Sequence, residues 1–383
     1  MTAYILRRLA QIVLTLLLFI TVVFFLLQAQ PGDITTVYAV NPNVPPEARE
    51  EIRTAFGLDK PVWQQYVLYL KNFLTGDLGV SFGHYPRPVM EIILERLPRT
   101  LLLFGTAAVI SFYLGFVMGK VIAWRRGSLT EYGATIGGAA LYTVFTPWFA
   151  LLIIWLFAFR LGWFPVGKFL DPGVWRDTTV SANTVFHGML ITATALSAFA
   201  FAALLLLKRL RPGSVAAIAP IVLATAMGLM VVAWAFSGVG HLALDIARHM
   251  VLPVLTLTLV SFAGTMLLTR SSMLETMRED FVLAARARGL SEAAVRDKHA
   301  ARNALLPVIT SLVFSLAFAI DGGVIIETIF SWPGMGLTLL NSVLEEDLPL
   351  AIGALVFTGI FALGAHLVAD ILYAFLDPRV RYR

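Results

Sequence analysis

Cysteine is absent from the 383 residues. That excludes disulfides, thiolate metal sites and cysteine nucleophiles. Charge is scarce as well: 14% of residues are charged and 58% are hydrophobic. A soluble domain carries about 25% charged and about 45–50% apolar residues. With a mean hydropathy of +0.80, most of the chain belongs in lipid. No G-x-x-x-x-G-K-[ST] phosphate loop occurs, and no polar block is large enough for a nucleotide-binding domain, so the chain is not expected to hydrolyse ATP. Its six histidines are scattered without the spacing of a zinc site, and no Ser–His–acid arrangement is recognisable.

What is present is a series of long apolar runs. A helix needs about 20 such residues to cross the hydrocarbon core. Eight stretches qualify, near 9–28, 101–124, 132–158, 186–207, 214–237, 250–269, 304–328 and 351–376. They are too long and uniform for the alternating strands of a barrel, so the expected fold is an all-α polytopic membrane bundle. The first run lacks a small-x-small cleavage site and reads as a retained anchor at 1–28. Basic residues mark the cytoplasmic loops. They fall at Arg7 and Arg8, Arg125 and Arg126, Lys208 to Arg211, Arg270 to Arg302, and Arg379 to Arg383, while the loop before the last span carries Glu345, Glu346 and Asp347. Both termini are therefore expected in the cytoplasm.

The segment 29–98 is expected outside. Trp63, Tyr66, Val67, Leu70, Phe73 and Leu74 recur at helical spacing after Pro61, and Gly76, Gly79 and Gly83 then break the chain. The pattern predicts an amphipathic helix, packed on the outer membrane face or presented to a soluble partner.

The cytoplasmic stretch 271–307 is unlike the other loops. Met273, Leu274, Met277, Phe281, Ala284, Ala285 and Arg288 predict one helix, with Gly289 as its C-terminal cap. Ser291 suits the N-cap of a second short helix from Glu292 to about Arg302, and Pro307 can begin or bend the next span. Such an elbow suits transmission of force from a soluble partner. Ala284, Ala285 and Ala287 would let that partner approach closely, and Arg286, Arg288, Arg296 and Lys298 offer charged contacts. A basic helix lying on anionic headgroups is the other reading, though Glu279, Asp280, Glu292 and Asp297 dilute its charge.

This stretch resembles the EAA loop of ABC importer permeases, with Ala284, Ala285 and Gly289 at the A-A-x3-G positions and Leu283 where the family has its leading Glu. The departures resemble the dipeptide/oligopeptide branch of these binding-protein-dependent permeases, as do 281–291 and R-N-A-L-L-P at 302–307. The resemblance continues through Y-I-L-R-R at 4–8, P-G-D at 31–33, F-G-L-D at 56–59, G-D-L-G at 76–79 and E-R-L-P at 95–98. It goes on with R-G-S at 126–128, T-R-S-S-M-L at 269–274, E-T-I-F-S-W-P-G-M-G at 327–336 and L-D-P-R at 376–379. Each motif is weak alone; their shared order over most of the chain is specific. The resemblance implies an inner-membrane permease subunit for peptides or a related solute. It implies a second permease, two ATPase subunits carrying ATP and Mg, and an extracytoplasmic binding protein. It assigns Ala284, Ala285, Arg286, Arg288, Gly289, Leu290, Ser291, Glu292 and Arg296 to the ATPase contact, with the short helix around Gly289 to Asp297 as the coupling helix. Besides the bilayer no other partner is expected, nucleic acid included.

The family usually has six spans. Here the resemblance covers a core of 99–174 and 241–383, and an inserted hairpin at 175–240 supplies two more. An ionisable residue within a span is a functional candidate. Asp321 and Glu327 are therefore candidates for the translocation path, Asp321 alternatively as a buried hydrogen-bonding group and Glu327 as a structural or gating one. His366 and Asp370 share a helix face as a structural pair or a proton relay. Lys120 lies where it can snorkel to headgroups. A proton-coupled secondary transporter working through Asp321 or His366–Asp370 is the competing reading. It lacks the paired repeats of such carriers and has no use for the elbow.

Overall fold

A computed structural model describes residues 2–28, 60–210, 215–318 and 323–376. Nearly all of these residues are helical, and among them the only β pairing is one isolated bridge between Val80 and Pro88. Among the described residues four helices are long and apolar enough to cross a membrane, or five if one bent pair counts as a span. The chain forms two compact units, described separately below.

The first unit comprises Met1–Ile153, Pro253–Ile329 and Pro333–Arg383. Helix α1 (Thr2–Gln28) packs against α15 (Leu348–Leu376) and against the predicted amphipathic helix α2 (Val62–Thr75). Helix α2 ends where expected, at Gly76 in the left-handed conformation. Its buried face matches the apolar pattern only in part. Gln65 and Tyr66 turn inward, bonding Gln28 at 2.7 Å and Thr21 at 2.8 Å. Trp63, Val67 and Leu74 stay exposed.

Helix α3 (Val89–Trp124) is the longest rod of this unit, and α9 (Gly240–Thr276) runs beside it beyond Pro253. Gly115 and Gly119 on α3 face the backbone and the Thr265 and Thr269 side chains of α9. Small residues four apart allow this approach, which dispersion rather than water exclusion must stabilise in lipid. The N-terminal part of α3 packs Val89, Ile92, Ile93 and Leu97 against Leu350 and Ala354 of α15.

The expected span at 132–158 is interrupted. Helices α4 (Leu129–Thr143) and α5 (Thr146–Ile153) are separated by a bend of 104°. Pro147 favours a break here: it has no N–H and its ring would crowd the Thr143 carbonyl, so it suits the first turn of a new helix. The start of α4 is capped by Ser128, whose hydroxyl accepts from Glu131 N–H at 3.2 Å.

The second unit comprises Ile154–Leu252 and Phe330–Trp332. It opens with π-helical turns at Ile154–Arg160 and a short helix, α6 (Pro172–Trp175). Asp245 is buried and accepts from Asp171 N–H and Trp175 Nε1, both at 2.9 Å, which fixes the segment around α6. Trp332 is fully buried beside Phe169, with ring centroids 5.1 Å apart. Helices α7 (Ala182–Leu210) and α8 (Val215–Phe236) pair as a hairpin, with Trp234 Nε1 donating to Thr192 at 3.0 Å.

Candidate functional site

The elbow is built from α10 (Asp280–Ala287), a corner at Arg288–Ser291, and α11 (Glu292–Ala294), which continues through π-helical Val295–Ala300 into α12 (Ala301–Phe318). Two details depart from the sequence reading. The first helix is not continuous: α9 ends at Thr276, a turn follows, and α10 restarts after extended Glu279. The second is not short, because it runs into α12 without a break and Pro307 lies inside that helix. The wide π turns shift the helix face, so that Val295, Ala300, Ala301 and Ala304 all point into one core.

The corner follows its residues closely. Gly289 has φ +74°, and Leu290 N–H donates to Ala285 O while Gly289 N–H donates to Arg286 O. That pairing is a Schellman cap, which favours glycine at this position. Ser291 caps the next helix, its hydroxyl accepting from Ala294 N–H at 3.3 Å.

Burial divides the predicted contact residues. Ala285 is fully buried with Val282, Val295, Met273 and Ala123, so it serves the packing of the elbow on itself and not the approach of a partner. Leu283 (70% exposed), Ala284, Ala287, Arg288 and Leu290 form the outward face. Arg286 stacks over Trp124 at 5.6 Å and pairs with Glu292 at 3.4 Å. Arg296 is occupied by Asp297 at 2.8 Å. Among the predicted arginines only Arg288 is left without an ion pair among the described residues.

Lys120 does not snorkel to headgroups. Its ammonium reaches Asp297 at 3.0 Å and ties α3 to the elbow. Linear spacing carries no sign of this pair. The hydrogen bond from Arg296, against opposing desolvation and with further help from Lys120, lowers the Asp297 carboxyl to about 2. A carboxyl depressed below its ordinary value of about 3.9 contributes its stability above that value and loses it as pH falls through about 2. The contribution of this half-exposed pair, about 0.2–1 kcal/mol, should therefore be constant from pH 5 to 8. A double-mutant cycle of Lys120→Met and Asp297→Asn, read by thermal unfolding across that range, checks both its size and its flatness. On the neighbouring helix, buried Glu131 accepts from Arg270 Nε at 2.9 Å and from Gly127 N–H at 2.6 Å, joining α4 to α9.

Glu327, on α13 (Val324–Ile329), is fully buried and accepts from Thr100 Oγ1 at 2.6 Å and Leu337 N–H at 2.9 Å. Thr100 in turn accepts from Met335 N–H at 2.8 Å, at the start of α14 (Met335–Leu344). This cluster fastens the 334–337 turn to α3. Asp321 and the side chain of Asp370 lie outside the described residues; His366 bonds Ala362 O at 2.7 Å. Sequence reasoning missed a cavity of about 230 Å³ between α3, α9 and α12, lined by Phe104, Ser111, Phe112, Ser261, Thr265 and Ser315 among others.

A bundle of apolar helices, with a capped elbow held against one of them and a polar cavity between three, is the architecture of a membrane permease component. The chain belongs to the family of binding-protein-dependent transport system inner membrane components: that family matches residues 111–382, and its N-terminal counterpart matches 1–104. The chain is 31% identical to the oligopeptide transport system permease protein AppB of Bacillus subtilis over the full length of both. It is 32% identical to the di/tripeptide transport system permease protein DppB of Pseudomonas aeruginosa, again over the full length of both. Identity to the dipeptide transport system permease protein DppB of Escherichia coli is 29%, also full length.

Proposed function

We propose that this chain is a multi-pass permease subunit of an ATP-driven importer of the bacterial inner membrane and that its cargo is short peptides. An extracytoplasmic binding protein delivers the peptide, and a second permease completes the path. Two ATPase subunits, which hold ATP and Mg, seat on the elbow. The full-length likeness to peptide permeases supports the cargo class. The observation that carries the coupling role is the elbow's construction. An apolar outward face at Leu283, Ala284, Ala287 and Leu290 stands on a solid core and is tied to α3 at Lys120 and Trp124. A push on that face reaches α3 without being absorbed by a soft loop.

The test is reconstitution of the complex in proteoliposomes with Leu283→Asp and, separately, Leu290→Asp. Both side chains are exposed and outside the elbow core, so the fold should persist. ATP-dependent uptake of a dipeptide is expected to fall by about tenfold or more, because a charge placed in a desolvated contact costs several kcal/mol. Uptake unchanged in both variants would remove the elbow from the ATPase contact. Uptake driven by a proton gradient without ATP would replace the importer by a proton-coupled carrier.

A further inference from the structure

Many serine and threonine hydroxyls on the helices of this protein bond back to their own backbone. Thr143 donates to Ala139 O at 2.9 Å, Thr225 to Ile221 O at 2.8 Å, Thr310 to Leu306 O at 3.1 Å and Thr358 to Ala354 O at 2.8 Å. This return bond is always within reach of a helical serine or threonine, and in lipid it removes the cost of an unsatisfied polar group.

Three hydroxyls of the cavity do not take it. Ser111 on α3 and Ser261 and Thr265 on α9 line the space and have no hydrogen-bond partner among the described residues. Ser111 is only 3% exposed. Ser261 and Thr265 stand four apart on one face of α9, and the buried Thr258 hydroxyl three residues before Ser261 is without a partner as well. A fourth lining hydroxyl, Ser315 of α12, donates to Ser311 O at 2.9 Å and keeps its lone pairs free to accept. Among the described residues, no charged side chain lines the cavity.

We infer that Ser111, Ser261 and Thr265 form a neutral binding station for the main-chain amides of a peptide in transit. The inference rests on the reading of the chain as a peptide permease. A hydroxyl both donates and accepts, so it matches an amide N–H or C=O whatever side chain the residue carries. A station without charge does not hold termini or charged side chains, and it binds weakly enough to release, as conduction requires. Sequence selection is thereby left to the binding protein. A neutral oligosaccharide shares the hydrogen-bonding chemistry, and the test separates the two.

The test uses the full complex with its binding protein in proteoliposomes, with tri-alanine and maltotriose as probes. In Ser111→Ala/Ser261→Ala/Thr265→Val, tri-alanine uptake should fall about tenfold or more, the effect of three lost hydrogen bonds. Co-purification of the ATPase subunits controls for folding. Wild-type uptake of tri-alanine that persists within about twofold in the triple variant overturns the station while leaving the peptide permease standing. Wild-type uptake of maltotriose and not tri-alanine overturns the peptide as cargo and occupant. The cysteine-free chain gives a second measurement if the triple variant does not assemble. The thiol of Ser261→Cys should react with a water-soluble maleimide during turnover and be protected by tri-alanine. A thiol that never reacts, or reacts without protection while tri-alanine is transported, overturns the station.

Discussion

Gly119→Val is expected to leave little folded protein. A Cβ at Gly119 would lie 2.5 Å from both the Met266 carbonyl oxygen and the Thr269 Cβ. At Gly115 it would lie 2.6 Å from the Phe262 carbonyl oxygen and from the Thr265 Cβ. The obstacles are backbone and β-branched carbon, which cannot rotate aside, so α3 and α9 must separate along two turns. Overpacking typically costs about 1–3 kcal/mol and more where nothing can yield, a large share of the stability of any domain. The control is on the same helix. Gly105 has nothing within 4 Å of its would-be Cβ, and Gly105→Ala should be neutral or stabilise by up to about 1 kcal/mol through helix propensity. Accumulation in membranes and the unfolding temperature in detergent decide it. Equal behaviour of the two variants would refute the close contact.

The second large effect is expected at Glu327. Its carboxylate is the shared acceptor for Thr100 and Leu337, and among the described residues no lysine or arginine pairs with it. Glu327→Ala leaves the Thr100 hydroxyl and the Leu337 N–H buried without an acceptor, at about 1–3 kcal/mol for each. Glu327→Gln restores one accepting oxygen but points an amide N–H₂ at the other donor, so it should recover about half of the loss. Thr100→Val removes the bridge from the other side and frees Met335 N–H. Unfolding temperatures should rank wild type above Glu327→Gln, and that above Glu327→Ala. Identical values for all three would mean that the cluster does not hold the 334–337 turn.

Much of this was legible in the sequence because it depends on local chemistry. The Gly289 corner, the Ser291 cap and the Gly76 stop each follow from one residue's conformational or capping preference. The interruptions were also written locally, in Pro147 for the α4–α5 bend, but hydropathy averaged over a window hides a single proline. What could not be read were the pairings between distant segments. Lys120 with Asp297 and Arg286 over Trp124 join parts of the chain that no periodicity connects. The motifs carrying the family resemblance are instructive here, because they meet in pairs. The Gly127–Ser128 turn positions Glu131 for Arg270, and the segment after Pro98 supplies Thr100 to Glu327. Order along the chain identified the family; only three dimensions tell which motif answers which. Ala285 marks the same limit. Its small side chain read as room for a partner and is filled by the elbow's own core.

The notches at Gly115 and Gly119 have a consequence for motion. With threonine methyls seated in both, α3 and α9 cannot slide along one another without first lifting apart, as two meshed racks cannot. They therefore travel as one plate. Of the three walls around the hydroxyl-lined space, two are thus fixed in register, so any change in its width falls to α12, which packs on α15 and α3. The elbow runs straight into α12 and also grips α3, so one stroke at the corner acts on that wall and the plate together.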